Sequence, residues 1–164
     1  MPRDRDDFIH EMGPAALGAW LRRLSDRVDR EATRAYAEAG VDFEQRWFGV
    51  MNQLALHGAR TVGEIAAALG VTHVAVSQTR QSLEKAGLTV AEADPDDGRS
   101  RKLRLTYEGQ QFYLRMAPLW EEMARVSVEL DREAGGVVAA LAKLERALDR
   151  KPLDRRVKLP AAQS

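Results

Sequence analysis

The sequence predicts a mainly α-helical chain with a small two- or three-stranded β-wing, and three observations carry that prediction. Two short apolar-periodic segments between Thr61 and Ala86 meet at Gly70, as two helices do at a tight turn. Behind them, Leu103 and Leu105 alternate with charged residues after an acidic, glycine-bearing turn, which reads as a half-buried hairpin. On either side lie long helical stripes that so small a core cannot cover.

Residues 2–12 are charged, with Phe8 and Ile9 as their only anchors, and read as a frayed tail or a short docking helix. From Pro14, Leu17, Trp20, Leu21, Leu24, Val28, Ala32, Ala35 and Tyr36 recur at spacings of three and four, which predicts one long helix ending at Gly40. A second helix is expected to open at Val41-Asp42, with Asp42 as cap, and to bury Trp47, Phe48, Met51, Leu54 and Ala55 before His57-Gly58.

Thr61 then caps a short helix, and Glu64 three residues on completes a capping box. Ile65, Ala66 and Leu69 are its apolar positions, Gly70 takes the turn, and Thr72 caps a helix over residues 73–86. Small Ala66 lets that helix approach, and Val76 fills the angle between the two. Val76, Thr79, Leu83 and Ala86 should face inward, while His73, Ser77, Gln78, Gln81 and Ser82 face outward. An outer face of uncharged hydrogen-bonding groups suits base edges in a major groove.

The hairpin turns at Asp94-Pro95-Asp96-Asp97-Gly98 and returns through Arg99 and Arg101, so basic residues stand at and past its tip. A helix-turn-helix followed directly by such a hairpin is a winged helix. After it, Phe112, Met116, Leu119, Trp120, Met123, Val126 and Leu130 predict a helix from Thr106 to Leu130, kinked at Pro118. Gly135-Gly136 separates a last helix carrying Val137, Val138, Leu141, Leu144 and Leu148, and Pro152 stops it. The organisation is thus residues 1–40, a dimerisation helix region; 41–106, the winged helix-turn-helix core; 107–150, two further dimerisation helices; and 151–164, a mobile basic tail. Stripes of this length usually bury against a second subunit, so a homodimer is expected.

Hydrophobic residues make up 45% of the 164 and charged ones 30%, the balance of a folded soluble domain. With no apolar run of membrane-spanning length and an acidic, polar start at residues 1–7, a cytoplasmic protein is expected, with no membrane partner. The chain has no cysteine, which excludes sensing of oxidants through a thiol. Its formal charge is zero, so any affinity for nucleic acid must come from local placement of basic groups. His10, His57 and His73 lack metal-ligand spacing, and Pro95 with the missing closing glutamate argues against a calcium loop at Asp94, Asp96 and Asp97. No catalytic triad or phosphate-cradling glycine loop is present, so neither an enzyme nor a cofactor is expected.

Val76-Ser77-Gln78, Leu83-Glu84-Lys85-Ala86-Gly87-Leu88, and the run from Asp94-Pro95-Asp96-Asp97-Gly98-Arg99 to Leu103-Arg104-Leu105-Thr106 and Gly109 resemble the MarR family of winged helix-turn-helix transcriptional regulators. The resemblance spans the middle third of the chain. It implies a homodimer on a near-palindromic DNA operator, most simply as a repressor. The expected DNA contacts are Thr61, Thr72, His73, Ser77, Gln78 and Gln81, with Arg99 and Arg101 entering the minor groove or gripping its phosphates. His73 meets a phosphate or nothing, Asp97 resembles the family aspartate that orients a wing arginine, and Arg80 either snorkels or adds a contact.

In the family, helices corresponding to those of Trp20, Trp47 and Trp120 wall a pocket. With Arg46, Met51, Tyr113 and Met116 they would take a small aromatic or amphiphilic effector, the alternative being that these aromatics are plain core. The near-neutral charge also leaves open a winged helix that binds a protein instead of DNA.

Overall fold

A computed structural model of the chain describes residues 7–93 and 101–158. Its elements are α1 (Phe8–Met12), a 3-10 turn (Gly13–Ala16), α2 (Leu17–Glu38), α3 (Trp47–His57), β1 (Arg60–Thr61), α4 (Val62–Leu69), α5 (His73–Lys85), β2 (Thr89–Ala93), β3 (Arg101–Leu105), α6 (Tyr107–Glu133) and α7 (Val137–Arg150). It divides into two compact units, the first ending at Tyr113 and the second beginning at Leu114.

The core of the first unit grows from α3. Trp47, Val50, Met51 and Leu54 are buried on it at helical spacing, and Phe48 and Ala55, expected inside, are exposed. Both lie off the stripe that those four residues define. This helix also starts later than expected. Asp42 is exposed and caps nothing, because Phe43 leaves the helical path to enter the core 4.6 Å from the Tyr36 ring and 5.6 Å from that of Trp47. The Tyr36 hydroxyl donates to Gln45 Oε1 at 2.9 Å and holds residues 41–46 as a loop. Against this core pack Ile65 and Ala66 of α4, Val76 and Leu83 of α5, and Leu103 and Leu105 of β3.

The sheet is antiparallel, in the order β1-β3-β2. Thr89 pairs with Leu105 and Ala93 with Arg101, while Arg60 adds the short third strand opposite Leu103. Leu103 and Leu105 face the core and Arg104 faces out, the alternation a half-buried strand imposes. Where the wing meets α6, the Thr106 hydroxyl accepts from Gly109 N–H at 3.0 Å and donates to the Gly87 carbonyl at 2.7 Å. Thr106 N–H donates to the Leu88 carbonyl at 3.0 Å, so the end of α5, the start of β2 and the first turn of α6 meet in one knot.

Most of α2 stands clear of the core: only Ala32 and Tyr36 are buried on it, and Leu17, Leu21, Leu24 and Val28 are exposed. In the second unit α6 continues as a helix through Pro118 to Glu133 and buries Met116 and Trp120. Asp131 Oδ1 accepts from Val138 N–H at 2.8 Å and links the end of α6 to the start of α7. On α7, Val137, Val138, Leu141 and Leu148 are exposed. The segment expected as a tail from Lys151 folds back as far as residue 158, with Arg156 donating to the Lys151 carbonyl at 2.7 Å and to that of Ala147.

Candidate nucleic-acid interface

The helix-turn-helix is built by its caps. Thr61 Oγ1 accepts from Glu64 N–H at 3.2 Å and Glu64 Oε2 accepts from Thr61 N–H at 2.7 Å, fixing the start of α4. The Thr61 hydroxyl also donates to that carboxylate at 2.9 Å, so its only proton is spent within the protein. These bonds hold the Glu64 carboxyl below the usual range, the backbone N–H contributing most. Gly70 ends α4 with φ 65°, and Val71 N–H returns to the Ala66 carbonyl at 3.1 Å. Thr72 Oγ1 accepts from Ala75 N–H at 3.2 Å and starts α5.

Helix α5 is pinned by Val76, Thr79 and Leu83, all buried, with the Thr79 hydroxyl returned to the Ala75 carbonyl at 3.0 Å. Ala86, expected on the same face, is exposed, since the helix ends at Lys85 and the chain turns away at Gly87. His73, Gln78 and Gln81 are exposed and Ser77 is half-buried. Among the described residues, the side chains of Ser77, Gln78 and Gln81 have no hydrogen-bond partner. The His73 ring lies across the first turn of α4, where a Cβ on Gly63 would come within 3.3 Å of its Cε1 atom.

Ser82, expected outward, is instead a junction. Its hydroxyl donates to Glu44 Oε1 at 2.6 Å and accepts from Trp47 Nε1–H at 3.0 Å, tying the last turn of α5 to the loop before α3 and to α3 itself. Glu44 Oε2 accepts from Arg46 Nε at 2.5 Å. The Ser82 hydroxyl first, and Arg46 second, hold the Glu44 carboxyl below its ordinary range. Arg80 runs along the helix surface with its Nε 4.0 Å from the Glu84 carboxylate. That Nε is buried with no hydrogen-bond partner among the described residues.

On the wing, Arg101 is exposed and donates to the Ala91 carbonyl at 2.6 Å. Arg104 is paired across the strands with Glu92, whose carboxyl it draws down, and Arg60 donates to Gln53 Oε1 at 2.6 Å. Asp97 and Arg99 lie outside the described residues.

The residues expected to wall an effector pocket fall in several surroundings. Met51 and Trp47 are packed in the first unit's core, Tyr113 donates to Asn52 Oδ1 at 2.9 Å, and Arg46 is exposed in its pair with Glu44. Trp20 stacks under the Arg23 guanidinium at 4.2 Å and meets His10 edge-on, lining a cleft of about 440 Å³ with Asp7, Leu24, Arg27 and Arg30. Met116 and Trp120 are buried in the second unit. Among the described residues no helix is long and apolar enough to cross a membrane, and no group of three acidic or histidine side chains is placed to hold a metal.

Two residues of this region were missed in the sequence. Val74 is 65% exposed on the outer face of α5, and a helical wheel drawn on the apolar positions would have found it. Glu44 carried no local signal, because its partner Ser82 lies 38 residues on.

A second helix pinned on one side and free on the other, braced by an antiparallel wing, defines a winged helix-turn-helix protein. Residues 40–100 match the model of the MarR family. Solved structures with the same fold include MepR of S. aureus in complex with DNA, 21% identical over 80% of this chain and 97% of that one, with a TM-score of 0.66. BpsR of Bordetella bronchiseptica, whose DNA binding is regulated by 6-hydroxynicotinic acid, is 22% identical over 78% of this chain and 91% of its own, with a TM-score of 0.64. The transcriptional repressor CouR, bound to a 23-mer duplex, is 26% identical over 82% of this chain and 96% of its own, with a TM-score of 0.62. No curated protein sequence matches the chain.

Proposed function

We propose that the protein is a sequence-specific DNA-binding transcriptional regulator, a homodimeric repressor acting on a near-palindromic operator. The observation that carries this reading is the outer face of α5: Ser77, Gln78 and Gln81 present uncharged donors and acceptors that no other described residue uses. Such groups read base edges, with Gln78 suited to a bidentate pair with adenine. Thr61, Thr72 and His73 stand where α4 and α5 begin and would approach the phosphates, Thr61 and Thr72 through the backbone N–H groups around them. Arg101, with Arg99 beside it in sequence and Asp97 to orient the tip, would supply the wing contacts.

The dimer would bury the exposed apolar stripes of α2 and α7 against a second copy and hold two recognition helices about one DNA turn, roughly 34 Å, apart. A small aromatic or amphiphilic molecule would act as effector. Its support in this chain is the Trp20 cleft, where an indole and the Arg23, Arg27 and Arg30 side chains line one hollow. Trp47 and Met51, buried in the core of the same unit, would enter that response through packing.

The test is selection of duplexes from a random pool, followed by salt titration of the winner. Enrichment of an inverted repeat with half-sites one turn apart is expected, with Arg101→Ala and Arg99→Ala each weakening binding and flattening the salt dependence. Failure to enrich any sequence, together with capture of a protein on the same face, would replace this reading with a protein-interaction module.

A further inference from the structure

We infer that Val74 is the apolar reader of the recognition helix, and that each half-site carries a pyrimidine 5-methyl group, thymine in ordinary DNA, opposite it. The inference rests on the DNA-binding reading of α5 and adds to it one position of the operator.

The geometry is that of an ideal helix. At about 100° per residue, the buried side chains Val76, Thr79 and Leu83 centre on one direction, and Val74 points within about 10° of the opposite one. Ser77 and Gln78 flank it, at about 60° on one side and about 40° on the other. Val74 is therefore the crest of the outer face rather than its margin, and at 65% exposure no neighbour covers it. It is also the second residue of α5, at the end of a recognition helix that meets base edges.

A branched hydrocarbon at that place makes a chemical demand. Among the groups on the floor of the major groove, only the thymine methyl is apolar; the rest are hydrogen-bond donors and acceptors. Seating Val74 against one of those would take it from water and return no partner, a net cost. Against a methyl the same contact removes apolar surface on both sides. Gln78 lies one helical turn further along the same face, so the thymine should stand within a base pair or two of the adenine that Gln78 reads.

The experiment uses the full chain and the operator selected above, with each thymine replaced singly by deoxyuridine, which removes the methyl and leaves every hydrogen-bonding group. For the wild-type protein, one thymine per half-site should be uracil-sensitive, by about fourfold for the lost methyl contact. Cytosine there should bind poorly and 5-methylcytosine should recover part of the loss. For Val74→Ala, an exposed substitution whose folding is checked by its melting curve, that sensitivity should fall to near unity while the other thymines behave as before. Equal uracil profiles for the two proteins would overturn the inference and leave DNA recognition intact. Lack of specific binding to the unmodified duplex by the wild type would overturn both.

Discussion

Gly109 has the least room for a side chain among the described glycines, and Gly109→Ala tests whether the knot between wing and α6 is as rigid as its geometry requires. A Cβ there would lie 2.0 Å from the Leu88 carbonyl oxygen and 2.9 Å from its carbon, where ordinary contact begins at 3.4 Å. The obstacle is backbone, so no rotamer change relieves it. The same carbonyl accepts Thr106 N–H at 3.0 Å, and moving it apart from α6 by more than an ångström breaks that bond. Overpacking of this kind costs about 1–3 kcal/mol, and the lost hydrogen bond adds about 1 kcal/mol.

A total of about 3 kcal/mol, at roughly 2–4 °C per kcal/mol for a chain of this size, lowers Tm by about 10 °C. Differential scanning calorimetry of the two proteins reads this directly. A Gly109→Ala protein melting within about 2 °C of the wild type would refute the reasoning, because α6 would then slide off the Leu88 carbonyl at little cost.

Further outcomes follow from the same contacts. Ser82→Ala leaves the Glu44 carboxylate and the Trp47 N–H without their shared partner; urea unfolding should show a loss of about 1–3 kcal/mol, with a change in tryptophan emission. Because the Glu44 carboxyl is held down in the fold, its contribution is complete above its unfolded value of about 4.3 and is lost as pH falls through the lower folded value. Glu44→Gln should therefore flatten the acid limb of the stability profile, lowering stability at neutral pH and changing little below the folded value. Thr72→Ala removes the cap of α5 and should cost about 1 kcal/mol, read from the same unfolding curves. Leu21→Glu with Leu24→Glu should yield a folded monomer by analytical ultracentrifugation, and a dimer with unchanged dissociation would show that α2 is not its interface.

The parts of the fold that local chemistry writes were legible. Thr61 with Glu64, Gly70 and Thr72 mark helix ends through bonds to residues three or four places away, and each end lies where those residues require it. What stayed hidden depends on partners distant in sequence. Phe43 delays α3 because Tyr36 and Phe112 offer it a better place than a helix would, and Phe112 belongs to a helix that begins after the wing. Ser82 looked like a surface residue because nothing near it announces Glu44. On α5, the outward turn of His73, Gln78 and Gln81 followed from periodicity, whereas Val74 was passed over because an exposed valine looks unremarkable until its angle to the buried face is worked out.

Helix α5 divides its labour by face. Besides the Thr72 cap, what holds it, from Val76 and Leu83 to the Ser82 junction, lies away from its outer face, and Val74, Gln78 and Gln81 on that face make no hydrogen bond or ion pair with other described residues. Surface substitutions free of such ties change stability by no more than about 0.5 kcal/mol. Under the DNA-binding reading proposed above, substitutions at these positions would change base preference with little effect on the stability of the fold.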